Sequence, residues 1–198
     1  LALSRYVAAA RAAGGTRDAA AADVERKRAD AGFRALGRYT PKGLPQHAIL
    51  VVGDAGLQEA VVAIGGNAIV AAPLRVDVRA DGTVRYENPE YWARAYLRGD
   101  YPKAEAAVTA ASRKLAGALG GGKPAGGDVP AGELAGYRYM LGMERFGDRS
   151  ELAEHASFDE AVATVRANLA KGVGETAKVY EIVVPEKKLA VFGVAFNG

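Results

Sequence analysis

The sequence predicts a mixed α+β fold, a two-layer α/β sandwich on a mainly antiparallel sheet. Three observations predict it. Between Ala68 and Ala80, Val70, Leu74, Val76 and Val78 fall on one side and Arg75, Asp77 and Arg79 on the other, the period-two pattern of a strand with one buried face. Asp81-Gly82 follows as a two-residue hairpin turn. A helix followed by a hairpin occurs twice, over residues 17–52 and 158–196, near the two ends of the chain. One such unit cannot bury its apolar face alone, whereas two can share a sheet. The expected organisation is therefore one α+β domain over residues 1–198 with pseudo-duplicated halves.

Each element has its own signal. Leu1–Ala13 is apolar and alanine-rich and reads as a short strand with a helical turn, ended by Gly14-Gly15. Thr16 caps a helix to Ala31, with Ala20, Val24 and Ala31 on a thin apolar face. Phe33–Tyr39 and Ala48–Val52 are strands around a Pro41–Pro45 turn, and Asp54 caps a helix from Ala55 to Ile64. Pro73 marks an edge or bulge in the long strand, and Thr83–Glu87 returns beside it. Asn88-Pro89 is an N-cap followed by proline at the first helical position, opening a helix that Gly99 ends. Ala104, Val108, Ala111, Leu115 and Ala118 give the helical period within Tyr101–Leu119. Residues 120–132 form a flexible Gly/Pro-rich loop, and Gly136–Phe146 holds a strand and a turn. Ser157 and Glu160 form a capping box before the last helix, and Lys178–Val184 with Leu189–Phe196 form the last hairpin.

Composition excludes several function classes. With 198 residues, 49% of them hydrophobic, the chain can bury a sizeable core. It contains no cysteine, which removes thiol catalysis, disulfide scaffolds and Cys-based zinc or iron–sulfur sites. Its two histidines cannot build a His-rich metal centre within one chain. The net charge of +3 comes from scattered Lys and Arg, so no nucleic-acid-binding stripe forms. No apolar run reaches the ~18 residues of a membrane span. Leu1 stands where an initiator Met is expected, which fits either a removed secretory peptide or a trimmed boundary.

The candidate sites each have a plain alternative. Gly117–Lys123 fits G-x-x-x-x-G-K, but Pro124 stands where a magnesium-holding Ser or Thr belongs, and the stretch follows a helix rather than a strand. Tyr86, Asn88, Tyr91, Trp92, Tyr96 and Tyr101, with Arg94 and Arg98, could stack on a planar ligand while arginine holds its carboxylate or phosphate; aromatic packing explains the same residues. Arg75, Asp77 and Arg79 share a polar strand face with Arg85 and Glu87. That face reads as a solvated surface, an anion-binding cleft or a dimer surface. His47 opens an apolar strand and is either a rim residue or a general base, with no carboxylate near it in sequence. His155 lies in a loop before the Ser157 cap. Tyr137, Tyr139, Met140 and Met143 could meet a soft metal or haem edge, or simply pack sulfur on rings. Glu144, Asp148 and Glu151 around Arg145 and Arg149 read as a solvated turn.

Several of these runs together resemble the DUF302 family, whose fold is called TT1751-like. GFRALGRY from Gly32 to Tyr39 is similar to its post-helix strand, PLRVDV from Pro73 to Val78 to its central strand, and YENPEY from Tyr86 to Tyr91 to its closing motif. YRYMLGM from Tyr137 to Met143 and SFDEAV from Ser157 to Val162 are similar to a longer bacterial subgroup. The resemblance covers most of the chain from about residue 16 onward and implies the fold. It carries no catalytic residues; the positions shared with its pattern are Arg75, Asn88, Pro89, Tyr91 and Tyr96. Many such proteins look exported, which implies a periplasmic or secreted location, with the cytoplasm as the alternative.

These readings converge on a non-enzymatic small-ligand or protein-binding module, expected as a homo-oligomer. Its site would lie between the Arg75 face and the Tyr91–Tyr96 helix, with Asn88, Tyr139 and His47 contributing, and its ligand would be small and anionic or planar. The alternatives are an enzyme using His47 and Tyr139 with a carboxylate, a purely structural or partner-interaction protein, and a haem- or metal-associated protein using Met140, Met143 and His47. No cofactor is assigned.

Overall fold

The structure is a computed structural model that describes residues 3–121, 123–125, 137–141, 157–173 and 176–196. Fourteen main elements follow one another as β1 (Tyr6–Ala8), α1 (Arg17–Asp30), β2 (Arg34–Tyr39), β3 (His47–Gly53), α2 (Ala55–Ile64), β4 (Pro73–Arg79), β5 (Val84–Glu87), α3 (Pro89–Leu97), α4 (Glu105–Leu119), β6 (Lys123–Ala125), β7 (Tyr137–Leu141), α5 (Phe158–Ala170), β8 (Thr176–Val184) and β9 (Leu189–Phe196). The fold is mixed α+β, and every strand pair among the described residues is antiparallel.

The four expected caps all form, because each is a local event. Thr16, Asp54 and Ser157 accept from the backbone N–H three residues on, and Asn88 accepts from that of Glu90. Asp54 does more than cap. Its other oxygen accepts from Lys114 Nζ at 2.9 Å, tying α2 to α4.

Four boundaries differ from the sequence reading, each for a backbone reason. Gly65 and Gly66, at φ 85° and 57°, turn the chain into a 3-10 segment over Gly66–Ala71. The strand therefore starts at Pro73, where a missing N–H is harmless, and β4 lies inside its sheet rather than at an edge. Four residues, Ala80 to Thr83, join β4 to β5, with Gly82 at φ 91° and Arg79 N–H donating to Thr83 O. Pro102 sits in a 3-10 turn, so α4 starts at Glu105. The segment after β1 is not helical; Ala9, Ala10 and Ala12 donate to Val84, Leu119 and Gly82 carbonyls.

The strands divide between two sheets rather than joining one common layer. β2-β3-β4-β5-β1-β6 form the first, and β7-β9-β8 form the second. On the first sheet Leu50, Val52, Leu74, Val76, Val78, Val84 and Tyr86 share one face and pack with Ala20 and Val24 of α1 and Val108, Ala111 and Leu115 of α4. On the second sheet Ala190, Phe192 and Val194 pack against Phe158, Val162, Val165 and Leu169 of α5. Its other face, with Tyr180, Ile182, Val184, Leu189 and Val191, joins the larger core. The expected loop at 120–132 contributes β6, paired with β1; residues 126–132 lie outside the described residues. So do Met143, Glu144, Arg145, Asp148, Arg149, Glu151 and His155.

The two sheets meet where β8 crosses β2. Both strands carry a register shift, between Ala35 and Gly37 in β2 and between Lys178 and Tyr180 in β8. A Cβ at Gly37 would overlap the Val179 carbonyl, so only glycine admits this approach. Tyr180 in turn lies over Gly193 of β9, where a Cβ would overlap its ring.

Gly37→Ala is expected to force the sheets apart and cost about 1–3 kcal/mol, read as a lower urea midpoint. The carboxyl of Asp54 is raised by burial, but Lys114 and the Leu57 N–H outweigh that and hold it below the usual carboxylate value. Its folded form therefore holds the proton less tightly than its unfolded form. Asp54 thus contributes stability above the ordinary carboxylate range and loses it as pH falls through the depressed value. Asp54→Asn should flatten that part of the acid-unfolding curve, as followed by circular dichroism.

Candidate functional site

The second face of the first sheet carries charge, yet it is buried. The register places His47 opposite Arg79, Ile49 opposite Asp77 and Val51 opposite Arg75. Asp77 also lies opposite Arg85, and Glu87 lies opposite Tyr6. Period-two alternation sends all of these to one side. Arg75 and Glu87 are only 7% and 3% exposed, so this is not the solvated face that charge alternation suggests.

Burial demands pairing, and the row supplies it. Glu87 accepts from the Arg75 backbone N–H at 2.9 Å and from an Arg75 guanidinium nitrogen at 2.8 Å. Two donors of one residue thus hold both oxygens of the carboxylate, a charge-assisted arrangement stronger than a neutral bond. At the other end, His47 Nδ1 lies 2.9 Å from Asp77 Oδ1, and an Arg85 guanidinium nitrogen lies 3.4 Å from Asp77 Oδ2. His47 is buried, not a rim residue, and its partner carboxylate arrives from thirty residues along the chain. Burial pushes the Tyr39 phenol far above its usual value, and burial followed by the Glu87 charge raises that of Tyr6. Both stay protonated at neutral pH and serve as hydroxyls rather than phenolates.

Tyr6 links this row to the aromatic helix. Its ring meets Trp92 edge-on at 6.2 Å, and Trp92 stacks on Tyr96 at 5.9 Å with planes 29° apart. Tyr91 stands edge-on to Trp92 at 5.2 Å, and the Arg5 guanidinium lies 5.9 Å from the Tyr91 ring centre. Trp92 Nε1 donates to the Arg5 carbonyl at 3.1 Å, which pins the indole to the N-terminal segment. Tyr91, Trp92 and Tyr96 are half-buried, while Arg5 is exposed and has no acidic partner among the described residues. Arg94, by contrast, is held by Glu90 at 3.0 Å and lies over Tyr101.

The expected residues therefore separate. Arg75 and His47 share the buried row, and Tyr91 and Tyr96 share the platform beside it. Asn88 sits between them, but its side chain is committed: it caps α3 and donates to the Ser4 carbonyl at 2.8 Å. Tyr139 and Met140 lie on β7 of the second sheet, opposite Gly193 and Phe192, and not in the sheet that carries His47. Among the described residues no group of three His, Asp or Glu side chains is placed to hold a metal ion. No described helix is long and apolar enough to cross a membrane.

Sequence reading missed Tyr39, Tyr6 and Arg5. Tyr6 sits in a three-residue strand among alanines, which gives no periodic signal. Glu87 was visible as a polar-face residue, but its role as the counter-charge of Arg75 depends on the β4–β5 register. Neither the family models, the curated proteins nor the solved structures contain a match to the chain.

Glu87→Ala should leave Arg75 buried without its carboxylate and cost about 3–5 kcal/mol, measured by chemical denaturation. The double change Arg75→Leu with Glu87→Leu should recover most of that loss, because an apolar pair leaves no charge uncompensated.

Proposed function

We propose that this chain is a binding module for a small planar anion, with Tyr91, Trp92, Tyr96 and Arg5 as the accepting surface. The observation that carries the reading is the half-exposed Trp92–Tyr96 stack, with the Arg5 guanidinium 5.9 Å from the adjoining Tyr91 ring and met by no carboxylate among the described residues. An aromatic face gains by covering a planar ligand, and an uncommitted arginine supplies the forked donor that a carboxylate fits. Arg75 does not contact the ligand in this reading, since Glu87 occupies its guanidinium. The resemblance to the DUF302 family, homo-oligomerisation and export belong to the same reading.

An acid–base enzyme centred on His47 is the second reading. The Asp77 contact favours it, because a carboxylate on Nδ1 orients an imidazole for proton transfer at Nε2. The closed row around it favours a structural role, with Asp77 also shared by Arg85.

Trp92 is the sole tryptophan, so its emission reports on this surface alone. Benzoate is expected to change that emission saturably at millimolar concentration. Benzamide, which lacks the charge, and the Arg5→Ala variant with benzoate should each bind about tenfold more weakly. An emission unchanged by benzoate, or equal response to benzoate and benzamide, overturns the reading.

A further inference from the structure

A groove of about 470 Å³ opens where the two sheets meet, formed by elements other than those of the aromatic platform. Ala55, Val62 and Ala63 of α2 and Val183 and Val184 of β8 make its apolar lining. Four exposed charged residues stand around it: Arg34 on β2, Glu59 on α2, and Glu186 and Lys187 in the turn between β8 and β9. Its size falls within the range of small-ligand pockets, roughly 300–1,000 Å³.

The charges set this groove apart. Carboxylates elsewhere on the adjoining elements are engaged: Asp54 by Lys114, and Glu181 by Arg166 and Lys178. Glu59, Glu186 and Lys187 have no oppositely charged partner among the described residues, and Arg34 rests on the neutral amide oxygen of Gln58. Two cations and two carboxylates thus surround one apolar lining without neutralising each other. A simple anion would meet the two carboxylates, and a simple cation the two basic groups. A ligand carrying both signs at its ends and an apolar middle satisfies all four.

We propose that this groove binds a zwitterionic ligand of the short-peptide class, its ammonium met by Glu59 or Glu186 and its carboxylate by Arg34 or Lys187. Such a ligand would touch α2 and β2 of the first sheet and β8 and its following turn of the second. Its binding free energy would therefore add to the docking of the two sheets and raise the melting temperature.

The test is calorimetric titration of the full chain with leucyl-leucine, its N-acetyl form and its C-terminal amide, alongside thermal melting. Leucyl-leucine should bind at millimolar concentration or tighter and raise the melting temperature. Each blocked form should bind about tenfold more weakly. The double variant E59Q with E186Q should weaken leucyl-leucine and abolish the penalty of N-acetylation. R34Q with K187Q should do the same for amidation. All four positions are exposed, so circular dichroism should show the fold unchanged. Absence of binding by all three peptides overturns the proposal. Equal binding of free and blocked forms, which would mark a merely apolar groove, overturns it too, as does binding that the four substitutions leave unchanged. The Trp92 titration with benzoate is a separate readout, so either site can fail without the other.

Discussion

A charge buried on a sheet face constrains everything around it. Moving Arg75 out of water costs several kcal/mol, and only a carboxylate in good geometry offsets that. Glu87 provides it with two contacts at 2.8 and 2.9 Å, one of them to the Arg75 backbone itself. Because the backbone N–H is part of the pair, the contact holds β4 and β5 in register as well as neutralising charge. A slip of one residue would send Glu87 to the apolar face and leave Arg75 alone. The same register brings Asp77 between His47 and Arg85. Pairing across three strands thus makes the polar face as specific as the apolar one.

The second constraint is the close approach of β8 to β2. A helix followed by a bulged strand and a second strand occurs in both halves: α1, β2 and β3 in one, α5, β8 and β9 in the other. The bulged strands are the ones that touch, with Gly37 facing the Val179 carbonyl and the Tyr180 Cβ. A bulge increases local twist and turns a strand end away from its neighbours. That allows two sheets to meet at an edge strand of each. The apolar face of β8 and β9 then completes the interior begun by the first sheet.

What could be read from residue order was what residue order decides. Caps are local, so Thr16, Asp54, Asn88 and Ser157 were all legible, and helix α2 and strands β8 and β9 fall close to their expected limits. The apolar alternation of β4 gave its two faces correctly from Leu74 to Arg79. The allocation of hairpins to sheets was not legible, because alternation says which side is buried and not what buries it. The run from Ala68 misled for a related reason: apolar residues suit a 3-10 turn packed in a core as well as a strand, and only the positive φ of Gly65 and Gly66 decides. At the site, Arg75 and His47 were singled out by type, but their partners lie twelve and thirty residues away.

Charge commitment separates structural from functional candidates in this chain. A buried ionic group that meets its opposite at hydrogen-bond distance has little left to offer a ligand, since leaving that partner restores the desolvation cost. Arg75, Glu87 and Asp77 are of that kind. Arg5, Arg34, Glu59, Glu186 and Lys187 are exposed and meet no opposite charge among the described residues, so a ligand could engage them without breaking an existing pair. They also stand beside apolar or aromatic surface that water covers poorly: Arg5 beside Tyr91, and the other four around Val62, Val183 and Val184. Recognition needs both halves of that combination, an apolar surface that gains on being covered and a charge that selects what covers it. The buried row has charge without access and the helical core has apolar surface without charge; among the described residues, both meet at the α3 platform and at the groove between the sheets.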